Sequence, residues 1–213
     1  MKIRTVNEFS DFLDGEFAWR RKELTTLKNS FQTAPLLARP THIRAGVAML
    51  YAHWEGFVKT TAEAYITFVG LQRLRYDQLS PQILGLCFHA DLVSLQETKG
   101  SVAHSSFATF VLTGLGSRAQ VPKHGVIETK SNLNAKRFHQ IVDILDLDFN
   151  PYELKQNIID AQLLNWRNTI AHGQYICPSD DEFESLYQNV SDFLRNFKDQ
   201  LENAAVTGRF RRS

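Results

Sequence analysis

The stretch HIRAGVAMLYAHWEGFVKTTAEAYITFVGLQRL, residues 42–74, carries the longest helical apolar rhythm in this 213-residue sequence. Apolar residues recur through it at intervals of three and four, the spacing of one helix face. Pro40 and Thr41 stand just before it and suit the start of a helix. The stretch therefore predicts one long helix, from about His42 to Leu74.

The same rhythm marks further helices on both sides of this one, and their lengths leave little sequence for a sheet. Helices are predicted at residues 7–32, 81–96, 134–147 and 150–172, and a last one begins near residue 180. Ser179 or Asp180 can cap that last helix. We therefore predict an all-α fold, a bundle of about five to six helices.

Residues 97–133, between the third and fourth predicted helices, break the rhythm. They are rich in Gly and Ser and hold two β-prone runs, FATFVL at 107–112 and GVIET at 125–129. We interpret them as a long insertion, for which a small β-hairpin is one candidate form. Residues 1–205 are predicted as a single domain that contains this insertion, and the basic residues 206–213 as a disordered tail.

The composition limits the classes of site and location that this chain suits. Cys87 and Cys177 form no CxxC pair, so we expect reduced thiols and no structural metal. No apolar run is long enough for a signal peptide or a membrane span, which favours a cytoplasmic protein with no membrane partner. The formal net charge is only +1, so binding of a polyanion needs a local basic patch, which dimerisation could build.

The strongest candidate for chemistry is the polar group at the end of the predicted helix 150–172, in LLNWRNTIAHG at 163–173. Gly173 is suited to ending a helix, which places His172 in the last turn or the cap. The guanidinium of Arg167 suits phosphate oxygens, and an imidazole suits proton transfer near neutral pH. Asn168 directly follows the arginine and shares a helix face with His172.

The spacing of Arg167 and His172 is weak evidence by itself. With 14 Arg and 7 His in the chain, about half of one Arg-x4-His match is expected by chance. Arg118 and His124 show a similar spacing inside the insertion, where no predicted helix fixes their geometry. A histidine that only caps its helix would also produce the pattern at His172.

Three segments of the chain resemble the HEPN superfamily. LLNWRNTIAHG resembles its signature, an Arg-x4-6-His motif that marks metal-independent ribonucleases in many of these all-α domains. MLYAHWEGFVKTTAEAY, from Met49, resembles the second-helix signature of a prokaryotic branch of HEPN-like nucleases. TKSNLN, from Thr129 to Asn134, is similar to another stretch of that branch. The three segments span the chain from about residue 40 to residue 175.

The resemblance implies a ribonuclease that acts as a homodimer with a composite site and needs no cofactor or metal. RNA would be cleaved by attack of its 2′-OH on the neighbouring phosphate. His172 would move protons, Arg167 would stabilise charge on the phosphate, and Asn168 would position His172 or the phosphate. The resemblance further implies a toxin or an anti-phage defence effector, with an antitoxin or a defence-system protein as partner.

The alternative function is a HEPN-like module that binds RNA or a nucleotide, or dimerises within a larger defence complex, without cleaving. Tyr175 bears on regulation, because some HEPN toxins place a tyrosine two residues after the histidine, where a partner enzyme adds AMP. In this chain the tyrosine comes three residues after His172. The sequence therefore departs from that arrangement.

Glu55 is a further candidate catalytic residue, because it lies on or beside the apolar face of the long helix. A buried carboxylate needs a partner. Lys59 is one turn away, and Arg167 would serve if the two helices pack as the family fold implies. Glu55 then orients Arg167 or shares proton transfer with His172; alternatively it forms a core ion pair that only fixes packing. Asp160 is a second candidate partner for Arg167.

Aromatic and histidine side chains near these segments have a simpler interpretation. Tyr51, Trp54 and Trp166 are predicted to be core residues rather than platforms for stacked bases. His53 is predicted to be an interior or interface histidine. The remaining histidines show no spacing typical of metal ligands.

Overall fold

The computed structural model describes residues 3–97, 100–122, 125–129 and 131–212. This part of the chain contains eight α-helices and no strand, which confirms the predicted all-α bundle. The helices are α1 (Val6–Thr33), α2 (Arg39–Leu71), α3 (Pro81–Glu97), α4 (Ser101–Thr113), α5 (Ala135–Ile144), α6 (Asn150–Glu153), α7 (Asn165–Ala171) and α8 (Asp180–Thr207). None of these helices is long and apolar enough to cross a membrane.

Helix α2 is the centre of the bundle and packs against both α1 and α8. Buried residues surround most of its circumference, as is typical of a helix enclosed by others. Gly46 permits the close approach of α8, because a Cβ at this position would lie 2.5 Å from the ring of Phe183. The helix begins at Arg39, before the predicted His42, since proline is tolerated in a first turn and Pro40 occupies it.

Several helix starts follow the predicted capping chemistry. Ser179 caps α8, where its hydroxyl accepts from the backbone N–H of Glu182 and the Glu182 carboxylate accepts from the backbone of Ser179. The N–H and the hydroxyl of Ser179 both donate to the Glu182 carboxylate, and these two bonds hold the pKa of Glu182 below its usual value. Asn134 caps α5 through its Oδ1, which accepts from the backbone N–H of Arg137 at 2.8 Å.

The prediction of one continuous helix over 150–172 is wrong. Helix α6 ends early, a π-helical segment covers Ile158–Leu164, and α7 follows directly. Leu154 is 97% exposed, whereas Ile159 and Leu163 are completely buried. The chain turns at Leu154 and Lys155, so the apolar face expected of one continuous helix is interrupted there.

The described part of the insertion contains helix α4 and no strand, so the hairpin expected as one form of it is absent there. The run FATFVL at 107–112 lies inside α4. Phe107 and Phe110, three residues apart, both meet the ring of Phe88 on α3, with centroids 5.7 Å away. This shared helical face outweighs the local β-propensity. The other run, at 125–129, forms neither helix nor strand, and His124 lies outside the described residues.

The prediction of a disordered tail is wrong for residues 206–212. Phe210 is only 2% exposed and meets the ring of Phe68 on α2 at 5.7 Å. The backbone N–H of Ser80 donates to the carbonyl of Phe210 at 2.8 Å, and that of Arg212 donates to Gln78 at 2.9 Å. The buried ring of Phe210 therefore anchors this stretch, although its basic residues suggested a disordered tail. Ser213 lies outside the described residues.

Candidate active site

The three segments that resemble HEPN proteins meet at one place in the fold. Helix α7 packs against α2. Residues 131–133 lie against both helices, because Arg167 Nη2 of α7 donates to the carbonyl of Ser131 at 2.9 Å and the N–H of Leu133 donates to the hydroxyl of Tyr51 at 2.7 Å. A site can therefore form from residues that are more than 100 positions apart in sequence.

The guanidinium of Arg167 is held by groups from all three segments. It lies over the ring of Tyr51, 3.9 Å from the ring centroid. Nη1 donates to Asn168 Oδ1 at 2.7 Å, and Nη2 is 3.8 Å from Glu55 Oε2 in addition to its bond with Ser131. The side chain is 23% exposed. Arg167 is thus fixed in one orientation while part of it still reaches solvent.

Glu55 pairs with Arg167, which selects one of the two partners considered from the sequence. Oε2 faces the guanidinium, while Oε1 is buried and accepts no hydrogen bond from the described residues. Burial raises the pKa of Tyr51 to about 12, and the nearby Glu55 carboxylate adds to this rise. The Tyr51 hydroxyl therefore keeps its proton at neutral pH beside this carboxylate.

The turn that contacts Arg167 contains a residue in an uncommon backbone conformation. Ser131 adopts φ +51°, a left-handed conformation that residues other than glycine use infrequently. The N–H of Asn132 closes the turn on the carbonyl of Thr129 at 3.0 Å, and Asp160 Oδ1 accepts from the N–H of Ala135 at 2.7 Å just beyond it. Asp160 thus anchors the start of α5 rather than pairing with Arg167. Lys130 of the same segment lies outside the described residues.

His172 is the C-cap of α7, as the sequence predicted. Gly173 follows with φ +73°, its N–H donates to the carbonyl of Ile170, and the N–H of Gln174 donates to that of Thr169, both at 3.0 Å. This pair of bonds is the Schellman motif, which requires a left-handed residue where Gly173 stands. The helix end is therefore closed by backbone groups, and the imidazole is not needed as a cap.

The imidazole of His172 is exposed and makes no hydrogen bond or ion pair with the described residues. It lies five positions after Arg167, which corresponds to about 140° around a helix. No hydrogen bond or ion pair joins the two side chains in the part of the chain that the structure describes. One chain therefore presents a guanidinium and an imidazole near the same helix end without a hydrogen bond between them.

The aromatic predictions are confirmed, with one addition. Tyr51 and Trp54 are buried, Trp166 packs partly buried against the core, and His53 is an interior histidine with Nε2 2.9 Å from Glu23. The addition is that Tyr51 also supports Arg167, a role missed at the sequence level. Its position four residues before Glu55, hence on the same helix face, was the available signal.

Comparison with known proteins identifies the family of this chain. No curated protein and no solved structure matches the chain. Among the described residues, no group of three or more His, Cys, Asp or Glu is placed to hold a metal ion. A family model described as RiboL-PSP-HEPN matches residues 16–203, a span that includes all three converging segments. HEPN domains are often ribonucleases, and this match indicates a nuclease or an RNA-binding module. The chain therefore belongs to the RiboL-PSP-HEPN family of the HEPN superfamily.

Proposed function

We propose that this protein is a metal-independent endoribonuclease whose catalytic residues are Arg167, Asn168, His172 and Glu55. The observation that carries the proposal is the geometry of Arg167. Its guanidinium is held by three separate segments, yet it reaches solvent at the end of a helix that also bears an exposed, unbonded His172. A planar cation fixed in advance is suited to stabilising charge that develops on phosphate oxygens.

The reaction we propose is transesterification of RNA. The 2′-oxygen forms a bond to the adjacent phosphorus while the bond from phosphorus to the 5′-oxygen breaks. An imidazole of His172 accepts the proton of the 2′-OH, and a second proton is delivered to the departing 5′-oxygen. The products carry a 2′,3′-cyclic phosphate, or a 3′-phosphate after its hydrolysis, and a 5′-hydroxyl.

Asn168 and Glu55 have supporting parts in this mechanism. Asn168 uses Oδ1 to hold Arg167, which leaves its Nδ2 group available to a phosphate or to His172. Glu55 faces the guanidinium of Arg167 from α2 and so helps to fix its orientation. Its second oxygen, buried without a described hydrogen-bond donor, provides a further acceptor for a proton.

We propose that the active form is a homodimer with a composite site. No described hydrogen bond joins Arg167 and His172 of one chain, and two copies related by a two-fold axis would place two such helix ends in one cleft. A second His172 then provides the second proton carrier. Pairing also doubles the local positive charge that a net charge of +1 does not provide.

The resemblance to HEPN proteins extends the proposal to the role of this protein in the cell. We infer a cytoplasmic toxin or anti-phage effector that acts on RNA, with an antitoxin or a defence-system protein as partner. These inferences depend on the family and on no particular contact in this chain.

One observation favours a second candidate, a non-catalytic module that binds RNA or a nucleotide. Ser131, Asn168 and Glu55 already occupy much of the guanidinium of Arg167, as they would if it only fixed the packing of α2 and α7. In that case substitution of His172 would have no effect on RNA.

The deciding experiment incubates purified protein with a mixed RNA pool in EDTA and determines the chemistry of new ends. His172→Ala and Arg167→Ala are compared with wild type, and His104→Ala, an exposed histidine on α4, is the matched control. We expect cyclic or 3′-phosphate ends from wild type and the control alone. Intact RNA in every sample, with a folded dimer confirmed by sedimentation, would favour the binding module.

A further inference from the structure

The loop between α7 and α8 presents an aromatic ring beside the candidate site. Tyr175 is 80% exposed, in contrast to Tyr51, Tyr65 and Tyr152, which are buried. It follows His172 by three residues, so their Cα atoms are at most about 11 Å apart. An exposed aromatic this close to a proton carrier is within reach of the nucleotides that flank a bound phosphate.

Arg44 of α2 fixes the loop on both sides of this ring. Its Nη1 donates to the carbonyl of Gln174 at 3.2 Å and to that of Ile176 at 3.4 Å, the two residues that flank Tyr175. The guanidinium also lies 5.4 Å from the centroid of the Tyr175 ring. The ring is therefore presented by an anchored loop rather than by a free one.

The same helix face supports both parts of the site. Arg44 and Tyr51 are seven residues apart on α2, two full turns, so they point in nearly the same direction. The ring of Tyr51 lies against the guanidinium of Arg167, and Arg44 contacts the loop that contains Tyr175. Helix α2 thus sets a phosphate-binding group and an open aromatic ring in a fixed relation.

We propose that Tyr175 is the stacking platform for a nucleobase next to the phosphate bound at Arg167 and His172, and that the substrate is single-stranded RNA. Proteins that bind single strands combine aromatic side chains, on which bases stack, with cations that attract the backbone. Tyr175 and Arg44 form such a pair. Bases inside a duplex are not free to stack on a side chain, so the platform selects unpaired RNA. This inference rests on the proposed ribonuclease function.

The test measures binding separately from cleavage. A labelled single-stranded oligonucleotide with 2′-O-methyl groups lacks the attacking hydroxyl, and its affinity is measured by fluorescence anisotropy. We expect Tyr175→Ala to weaken binding about 5- to 150-fold, the range of losses seen for stacked bases. Tyr175→Trp retains a ring and should bind within about twofold of wild type, and a duplex of the same sequence should show no dependence on Tyr175.

Trp19→Ala is the matched control. Trp19 is also an exposed aromatic beside an arginine, 4.2 Å from the guanidinium of Arg20, but it packs against His53. His53 and Tyr51 are two positions apart and so face opposite sides of α2. This variant should bind like wild type.

Each outcome separates the two proposals. If Tyr175→Ala binds the oligonucleotide as well as wild type does, or wild type does not bind it, the stacking platform is overturned, whether or not RNA is cleaved in the EDTA assay. If binding depends on Tyr175 but no RNA is cleaved, the stacking platform stands and the ribonuclease proposal fails.

Discussion

Two arginines, Arg20 on α1 and Arg167 on α7, have similar surroundings and different partners. Both guanidinium groups lie over an aromatic ring and beside a carboxylate. Arg20 is bound by its own helix, through the carboxylate of Glu16 and, at 3.0 Å, through the carbonyl of the same residue. It is almost fully buried, with 6% of its side chain exposed against 23% for Arg167.

The difference separates a packing arginine from a candidate phosphate-binding arginine. The hydrogen-bond partners of Arg20 come into place whenever α1 forms, and α2 adds the ring of Phe57, 5.5 Å from the guanidinium. The partners of Arg167 arrive from α2 and from a turn with a strained Ser131, so its orientation depends on the tertiary fold. Strain that persists in a fold is a reason to look for function at that place.

Replacing each arginine by lysine gives the largest expected contrast. Lysine keeps the charge but loses the planar fork of donors. We expect Arg167→Lys to slow RNA cleavage about 10²- to 10³-fold, as for the loss of a charge-stabilising donor. Arg20→Lys should cleave at the wild-type rate. Initial rates with one defined RNA check this, and equal rates for both variants would remove the distinction.

The support beneath Arg167 is tested by removing one hydroxyl. Tyr51→Phe leaves the N–H of Leu133 without its acceptor, which should lower the free energy of unfolding by about 1–3 kcal/mol. The loosened turn should also slow cleavage, since Ser131 no longer holds Arg167 firmly.

Tyr65→Phe is the control for that variant. Tyr65 is equally buried, but its hydroxyl has no hydrogen-bond partner among the described residues, so its loss should be neutral or stabilising. Urea unfolding measures both variants. A similar destabilisation of the two would show that the bond to Leu133 contributes little.

Glycine substitutions compare the backbone of α1, at Gly15, with the backbone at the end of α7, at Gly173. Gly173→Ala puts a side chain at φ +73°, which should destabilise the protein by about 1–2 kcal/mol and displace His172. Gly15→Ala, inside α1 with open space around its Cβ position, should stabilise by about 0.5–1 kcal/mol. Thermal unfolding reports both signs, and a gain for Gly173→Ala would contradict the closed helix end.

The smallest expected effect is a pH dependence of stability from His53, which packs beside Arg20. Burial lowers the pKa of His53 from its usual 6.5; Glu23 opposes this and Arg20 adds to it. The unfolded chain therefore binds the proton more readily, so stability falls as the pH drops below about 6.5 and is regained above it.

His53→Gln should flatten this dependence in urea unfolding measured across that range. The pH profile of cleavage should stay unchanged, because His172 lies at the end of α7, whereas His53 lies on the side of α2 that faces α1. A shifted cleavage profile in His53→Gln would link the two regions.

Sequence periodicity was sufficient for the helical class because the apolar faces of α1, α2 and α8 are continuous. It failed where a partner came from elsewhere in the chain. The helical state of Phe107 and Phe110 depends on Phe88, and the order of Phe210 depends on the core near Phe68. Neither of these contacts between distant residues produces a pattern in the neighbouring sequence.

For the site, the sequence provided the residue types and the resemblance joined them into one hypothesis. It placed His172 at the helix end and included Arg167 among the partners of Glu55. The carbonyl of Ser131 could not be predicted, because a backbone acceptor has no residue type. The assignment of Asp160 to α5 likewise needed the positions of both segments.

The π-helical segment Ile158–Leu164 has a consequence for the length of this chain. Its wider turns are seen in the bond from the N–H of Asn165 to the carbonyl of Asp160, five residues back instead of four. Such a turn stores one surplus residue without rotating the helix after it. We therefore expect a deletion of one residue here to relax the segment into an ordinary α-helix and leave Arg167 facing α2, whereas the same deletion inside α7 would turn Arg167 and His172 by about 100° relative to each other.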